Sequence, residues 1–384
     1  MAVKKTELAI GLMSGTSADG IDGVLLAARA PDEVSAEVFA EVSIEATAHT
    51  EFPSETRAAI EALCARPNAD LDQLGRLDTE LGILFAQAAN DLRKKTRENI
   101  AVIGCHGQTI RHRPAPPEKF PFTMQLGNGA VIARRAELPV VCDFRRADIA
   151  AGGQGAPLAA AFHRAVFSGD APRAILNLGG IANVTCLPAA SGASEKVRGF
   201  DTGPANTLID HWCQMHFGAP YDRDGKNAAK GKVHDELLKK MLADSYFSRP
   251  SPKSTGREYF NAEWLGKFGE VAPPEDMLAT LTALTAESAA AEIRRLQPRP
   301  SAVYVCGGGA RNDTLMAMLA ERFDGAVRTT AELGIEPQWV EAAAFAWMAL
   351  CTLHRRASTL PSVTGADSAS VAGVVHYPHP ADCD

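Results

Sequence analysis

No Cys-x-x-Cys pair occurs in this chain. Its eight cysteines are dispersed along 384 residues, which excludes a zinc framework and gives no sign of a disulfide scaffold. Cys105, Cys142, Cys186 and Cys306 sit at or near the ends of apolar runs, where a small buried thiol is the ordinary reading. No apolar run approaches the roughly 20 residues of a membrane span. The opening Met1-Ala2-Val3-Lys4-Lys5-Thr6-Glu7 lacks a signal-peptide hydrophobic region, so a reducing cytoplasm is the expected home. There is no basic excess either. A net charge of -7 argues against a general nucleic-acid binder, though local amides and a bound cation can still hold phosphate. No low-complexity linker interrupts the chain, and no Gly-Lys-Ser follows any glycine turn, which excludes a Walker loop.

What the chain does have is glycine in three particular places. Gly11-Leu12-Met13-Ser14-Gly15-Thr16-Ser17-Ala18-Asp19-Gly20, Asn177-Leu178-Gly179-Gly180-Ile181-Ala182-Asn183 and Cys306-Gly307-Gly308-Gly309-Ala310-Arg311-Asn312 each follow an apolar strand-like run. Backbone approaches a polyanion closely only where side chains are missing, and such turns aim amide N–H groups at phosphate oxygens. One glycine turn is a weak signal. Three, with acids and hydroxyls inside them, suggest a nucleotide held between two lobes.

The length fits two domains of ordinary size. Leu8–Met13, Ile21–Ala28 and Val34–Ala46 read as a meander of three strands. Helices are expected over Pro53–Cys64 and from Leu71 to about Thr96, the latter with Leu74, Leu77, Leu81, Leu84, Phe85 and Ala88 on one core-facing stripe. Strand ends at Cys105-His106, Gln125-Leu126 and Cys142-Asp143 gather polar residues where α/β folds place ligands. The second half repeats the layout: Ala174–Leu178, Val184–Leu187 and Val197–Asp201, then helix-rich sequence, then a strand at Ala302–Cys306. This reads as a structural duplication. The expected hinge is Asp148–Pro157, where Gly152, Gly153 and Gly155 cluster.

The motifs narrow the reading. Gly11 to Asp22, His106-Gly107-Gln108-Thr109, Asp143-Phe144-Arg145-Arg146, Ala151 to Leu158, Phe200-Asp201-Thr202-Gly203-Pro204, Lys253-Ser254-Thr255-Gly256-Arg257-Glu258 and Glu341-x-x-Ala344-Phe345-Ala346-Trp347 are similar to those of the anhydro-N-acetylmuramic acid kinase family. That family lies within the superfamily of sugar kinases, heat-shock ATPases and actin. The resemblance runs from about Leu8 to Ala372. Ala18, Thr202 and Ala147 depart from the family's common Leu, Cys and Arg, and none of these removes a carboxylate, glycine or lysine of the site.

The resemblance implies an α/β, two-lobed actin-like ATPase (ribonuclease-H-like) fold, each lobe a mixed five-stranded sheet flanked by helices, with the active-site cleft between them. Residues 1–147, with the tail 360–384 returning to them, would form the first lobe and 148–359 the second. It also implies a kinase, cytoplasmic and active in cell-wall recycling, that takes 1,6-anhydro-N-acetylmuramic acid, ATP and water to N-acetylmuramic acid 6-phosphate. ATP and Mg²⁺ are the expected cofactors and a small amino sugar the expected partner. Neither nucleic acid nor membrane is expected, and a homodimer stays open.

The carry-over makes Asp201 the catalytic base, although an Asp before Gly-Pro also suits a turn. Glu341 becomes a second carboxylate near the sugar, although an acid in a helix's first turn also suits the dipole. Gly15, Thr16, Ser17, Ala18, Asp19, Gly20, Ile21 and Asp22 would bind the phosphates, with Asp19 and Asp22 beside hydrated Mg²⁺ and no metal ligand assigned. Gly179 and Gly180 would approach from the second lobe, and Gly307, Gly308 and Gly309 would lie under the adenosine. His106, Gln125, Asn128, Arg145 and Asp148 are the sugar-side candidates. Lys253 to Glu258 reads as a basic loop that covers the ligand or stands solvated. Two rivals remain at this point: a conventional kinase on a free sugar hydroxyl, and an actin- or chaperone-like ATPase, which would normally carry a long partner-binding extension.

Overall fold

The computed structural model describes residues 6–15, 17–29, 39–65, 68–114, 118–191, 196–251, 253–269 and 271–379. In chain order the strands are β1 (Thr6–Met13), β2 (Gly20–Arg29), β3 (Val42–Glu51), β4 (Ile100–Cys105), β5 (Gln108–Arg113), β6 (Phe122–Leu126) and β7 (Val140–Cys142). They continue as β8 (Arg173–Leu178), β9 (Ile181–Leu187), β10 (Arg198–Pro204), β11 (Ala302–Cys306), β12 (Ala326–Thr329) and β13 (Val374–His376). Two compact units result, one of residues up to Phe167 and from Trp339 onward, the other Ser168–Gln338.

The sheet of the first unit runs β13-β7-β4-β1-β2-β3, and that of the second runs β10-β9-β8-β11-β12. Taken in their own chain order, five strands of each read 3-2-1-4-5. The first three are antiparallel and the last two join in parallel. This is the duplicated ribonuclease-H-like α/β layout that the motifs implied. The first sheet differs from expectation in having a sixth strand, β13, antiparallel to β7.

Helix packing follows the apolar pattern. α1 is Ser54–Ala65 and α2 is Leu71–Arg93. Asp70 caps α2 by accepting from Asp72 N and Gln73 N at 2.8 and 3.2 Å. Leu77, Leu81, Phe85, Ala88 and Leu92 line its buried stripe. Each large apolar side chain so buried contributes about 1.5–3 kcal/mol. α3 (Gly129–Ala136), α4 (Arg146–Ala150) and α5 (Ala159–Phe167) complete the first half. α6 (Asn206–Phe217), α7 (Asp235–Leu242), α8 (Ser245–Ser248), α9 (Ala262–Gly266) and α10 (Pro274–Arg295) form the helical insertion after β10. α11 (Asp313–Arg322), α12 (Val340–Leu353) and α13 (Pro361–Thr364) follow.

The unit boundaries differ from the sequence-based ones at both ends. α12 lies flat on β1 and β4 in the first unit, whereas the sequence placed it in the second lobe. Gly11 and Gly104 permit this: a Cβ on either would overlap the Ala342 or Phe345 carbonyl of α12. Of the third strand expected over Val34–Ala46, residues 34–38 lie outside the described residues, and the strand itself is β3, shifted to Val42–Glu51. Small inward residues, Ala46 and Ala48, weaken its alternation and hid its second half.

Candidate functional site

The register of the second unit sets one polar row across its sheet. Cys306 pairs with Asn177, Asn177 with Asn183, and Asn183 with Asp201. Adjacent strands lie about 4.8 Å apart, so Asp201 stands roughly 10 Å from Asn177. The turns at Gly179-Gly180 and Gly307–Gly309 begin immediately beyond this row. They touch one another: a Cβ on Gly307 would overlap Asn177 Oδ1, and one on Gly309 would sit 2.6 Å from Leu178 Cβ. Gly307 has φ +80°, which favours glycine.

The start of α6 is fastened to the same place. Asn206 Nδ2 donates to the Leu178 and Gly179 carbonyls, both at 2.9 Å. The Ala205 and Thr207 amides donate to the Gly180 carbonyl. Sequence reasoning therefore located both turns, with Asn177 at the head of one, and passed over Asn206, which fastens α6 to it. Asn177 is 7% exposed, and its Oδ1 has no hydrogen-bond partner among the described residues.

Asp201 follows from β10's irregularity. A bulge between Asp201 and Gly203 breaks the pairing with β9, and bulges re-aim side chains. The carboxylate is half-buried, and its Oδ2 accepts from Thr255 N at 3.0 Å. The Asp201 amide donates to the Lys253 carbonyl at 3.0 Å. Tyr246 donates its hydroxyl to the Asp201 carbonyl at 2.7 Å. The Lys253 loop, read from sequence as a cover or a solvated loop, is exposed at Ser254, Arg257 and Glu258 but anchored at its first residue. Lys253 is buried and paired with Glu292 at 3.0 Å. The missed signal was Glu292, an acid on the buried face of α10 between Ala289 and Ile293.

In the first unit, the phosphate-turn candidates divide. Thr16 lies outside the described residues. Gly15 is open, with Ser17 Oγ 3.8 Å from where its Cβ would be. Ser17 donates to Asp19 Oδ1 at 2.7 Å, and both are exposed. Ala18 has φ +52° and is buried. The Ile21 side chain is fully buried in the core, so only backbone is left there for a ligand, and Gly20 pairs with β3. Asp22 Oδ1 lies 2.8 Å from His49 Nδ1, and that hydrogen bond raises the imidazole's pKa above its ordinary value.

Ser14, not singled out from sequence, donates to Gln108 Oε1 at 2.6 Å and ties this turn to the start of β5, just beyond the end of β4. There His106 is buried against Phe345, ring centres 4.6 Å apart. Its Nε2 accepts from Arg145 Nε and Nη2 at 3.1 and 2.8 Å, leaving Nδ1–H to donate to the Gly107 carbonyl at 2.8 Å. Burial, then the Arg145 charge, pushes the imidazole well below its ordinary pKa. His106 is therefore a neutral acceptor that orients Arg145.

Arg145 Nη1 donates to the Gly155 carbonyl at 2.7 Å. Asp148 is fully buried and accepts from Gly155 N at 2.8 Å and Thr364 Oγ1 at 2.7 Å. It staples the segment proposed as a hinge to α13, within one unit. Gln125 lies beside Gly107 and donates to Thr109 and Thr123 hydroxyls at 3.2 and 2.7 Å. Asn128 stands apart. It caps α3 through Val131 N at 3.1 Å and donates to Asp78 Oδ2 at 3.0 Å. Both ends of its amide serve the fold where a sugar contact was expected. Glu341 occupies the first turn of α12, half-buried.

Among the described residues no three His, Cys, Asp or Glu side chains converge as a metal cage. An oxygen-only set of one or two carboxylates, such as Asp19 and Asp22, suits Mg²⁺, which retains waters and shares phosphate oxygens.

A family model described as anhydro-N-acetylmuramic acid kinase matches residues 7–378. The chain belongs to that family. The anhydro-N-acetylmuramic acid kinase of Xanthomonas axonopodis pv. citri (strain 306) is 47% identical over 378 residues, covering 96% of this chain and 98% of that protein. Its namesake in Saccharophagus degradans is 44% identical, covering 97% and 100%. Among solved structures, the activator of the 2-hydroxyisocaproyl-CoA dehydratase from Clostridium difficile with bound ADPNP matches at TM-score 0.44 and 15% identity, over 89% of this chain and 94% of that one. A ROK family glucokinase from Streptomyces griseus, in complex with glucose and AMPPNP, matches at TM-score 0.36 and 15% identity over 88% and 99%. No helix among the described residues of this kinase-family chain is long and apolar enough to cross a membrane.

Proposed function

We propose that this protein phosphorylates 1,6-anhydro-N-acetylmuramic acid with ATP while water opens the anhydro ring. The substrate has no free 6-hydroxyl, because that oxygen bridges to the anomeric carbon. Ring opening and phosphoryl transfer must therefore share one site. Water attacks the anomeric carbon and gives its proton to Asp201. The bond from that carbon to O6 breaks, O6 bonds to the γ-phosphorus, and ADP leaves with the electrons of the broken phosphoanhydride bond.

The observation that carries this reading is the Asp201 carboxylate, held by a backbone N–H at the bulge within β10, in the same sheet row that leads into two touching glycine turns. A base fixed in position and a backbone cradle for phosphate are the two things the reaction asks of a protein. Gly179, Gly180 and Gly307–Gly309 offer amides to the nucleotide. Gly15 and Ser17 offer an open turn, and Asp19 and Asp22 would face hydrated Mg²⁺, which neutralises charge on the phosphoryl oxygens. Arg145, pre-set by His106 and Gly155, is the cation for the lactyl carboxylate. Glu341 would hold sugar hydroxyls.

ADP release with purified 1,6-anhydro-N-acetylmuramate, against free N-acetylmuramate, tests the reading. Turnover with the anhydro sugar and little with the free sugar is expected. The reverse preference makes the protein a conventional sugar kinase, and ATP hydrolysis indifferent to both sugars makes it neither.

A further inference from the structure

Asp201 is bonded at three points by groups that all converge on one buried ion pair. Thr255 N holds its carboxylate, the Lys253 carbonyl accepts from its amide, and the Tyr246 hydroxyl holds its carbonyl. Lys253 Nζ in turn donates to Glu292 Oε1 at 3.0 Å and to the Tyr246 and Phe247 carbonyls at 3.3 and 3.4 Å, and lies 4.8 Å from the centre of the Tyr246 ring. The side chains of Lys253 and Glu292 are only 3% and 7% exposed. Arg295 Nη1 gives the same Glu292 oxygen a second partner at 2.9 Å.

A buried pair of this kind is weak evidence for stability, since apolar replacements often serve the fold as well. Its geometry suggests another purpose. The ammonium is spent wholly on fixing the loop from Lys253 to Thr255 and the start of α8 against α10. Those are the segments that supply every bond named above to Asp201. Burial, followed by the nearby Asp201 charge, also pushes the Tyr246 phenol up from its ordinary pKa, so its hydroxyl remains a donor.

We infer that the Lys253–Glu292 pair and Tyr246 are positioning residues that hold the Asp201 carboxylate in its water-activating orientation. The inference rests on Asp201 being the base. A carboxylate that accepts a backbone N–H is favoured in its ionised form. Releasing Thr255 should therefore both misdirect the base and make it easier to protonate.

The test compares Lys253→Met, Tyr246→Phe and Asp201→Asn in the full chain. It measures kcat across pH, KM for ATP, nucleotide binding and melting temperature. In Lys253→Met, Glu292 keeps Arg295, which favours a folded variant. Its kcat should fall about 100-fold, the scale of a small misplacement of a reacting group. KM for ATP should stay within about threefold, and the acid limb of the kcat profile should move up by about one pH unit. Tyr246→Phe should lose about tenfold in kcat by the same route, and it decides the matter alone if Lys253→Met does not fold.

Folded variants with kcat within about threefold of wild type, beside an inactive Asp201→Asn, overturn the inference and leave the base standing. A loss of kcat with an unmoved acid limb assigns the pair to the fold alone and also overturns it. An active Asp201→Asn instead removes the base on which the inference rests.

Discussion

The two units share a strand order, yet equivalent rows across their sheets have opposite character. In the second unit the row is Cys306, Asn177, Asn183 and Asp201. In the first it is Cys105, Leu12, Gly23 and Ala48. Both rows begin at the cysteine that closes the fourth strand of its sheet, one residue before a polar turn. The apolar row is core: Leu12 and Cys105 are fully buried. The polar row places an acid on the third strand. That strand is covered by the helical insertion, whereas β3 is half-exposed along its length. The two scaffolds share a five-strand order. Asp201, the acid proposed as the base, is gripped by groups of that helical insertion, Tyr246, Lys253 and Thr255.

The sharpest way to break this comparison is Asp201→Asn. We expect kcat to fall by about 10²–10⁴, the range of a general base, with ATP binding kept. A fall under about tenfold in a coupled ADP assay, or lost binding by calorimetry, would place the base elsewhere.

Next is a pair of glycine substitutions. Gly307→Ala puts a side chain at φ +80° against Asn177 and should cost more than the ~1–2 kcal/mol of a left-handed residue alone, read from denaturant unfolding. Gly15→Ala meets only Ser17 Oγ at 3.8 Å. It should leave stability unchanged and raise KM for ATP. Equal stability losses would show that the two turns are not built differently.

Acid should separate the units thermally. His106, His112 and His163, all in the first unit, are pushed down from the ordinary imidazole value by burial, His112 to about 4 and His163 to about 3. Their unfolded forms bind more protons below about pH 6.5, so the stability they contribute is present above that pH and lost as pH falls through it. His49, raised by Asp22, acts oppositely, its contribution being present at low pH and lost as pH rises through its folded value. The three buried imidazoles should together lower the first unit's stability by on the order of 1–2 kcal/mol between pH 7 and 6, with His49 working against that loss. Calorimetry should show one of two transitions moving down by a few degrees, and His163→Leu should flatten that movement. Two transitions that shift together contradict the assignment.

The smallest effect expected is from Asn177→Leu, which copies Leu12 into the polar row. Removing a buried, unpartnered oxygen should leave the melting temperature unchanged or higher, while KM for ATP rises about tenfold. Unchanged KM would make Asn177 a spectator.

Much of this was legible beforehand because the signals are local. Glycine turns after apolar runs and the α2 stripe are visible within a few residues of themselves, whereas Asp201, expected to end its strand, lies inside β10, which runs on to Pro204. The hidden part is long-range. Nothing adjacent to Lys253 says that Glu292, 39 residues on, neutralises it, so a buried anchor read as a surface loop. Asp148 and Asn128 looked like ligand contacts, because a polar residue near a strand end signals either a ligand or a cap. The bonds to Thr364 and Val131 show that both residues serve the fold. α12 was assigned to the wrong half because its docking depends on two glycines in distant strands, Gly11 and Gly104.

The most direct test of the central claim is turnover in oxygen-18 water, with the products weighed by mass spectrometry. If Asp201 activates water against the bridged acetal, one labelled oxygen appears at the anomeric carbon of the sugar phosphate and none in its phosphate group. Label found only in inorganic phosphate, with an unlabelled sugar, would contradict it.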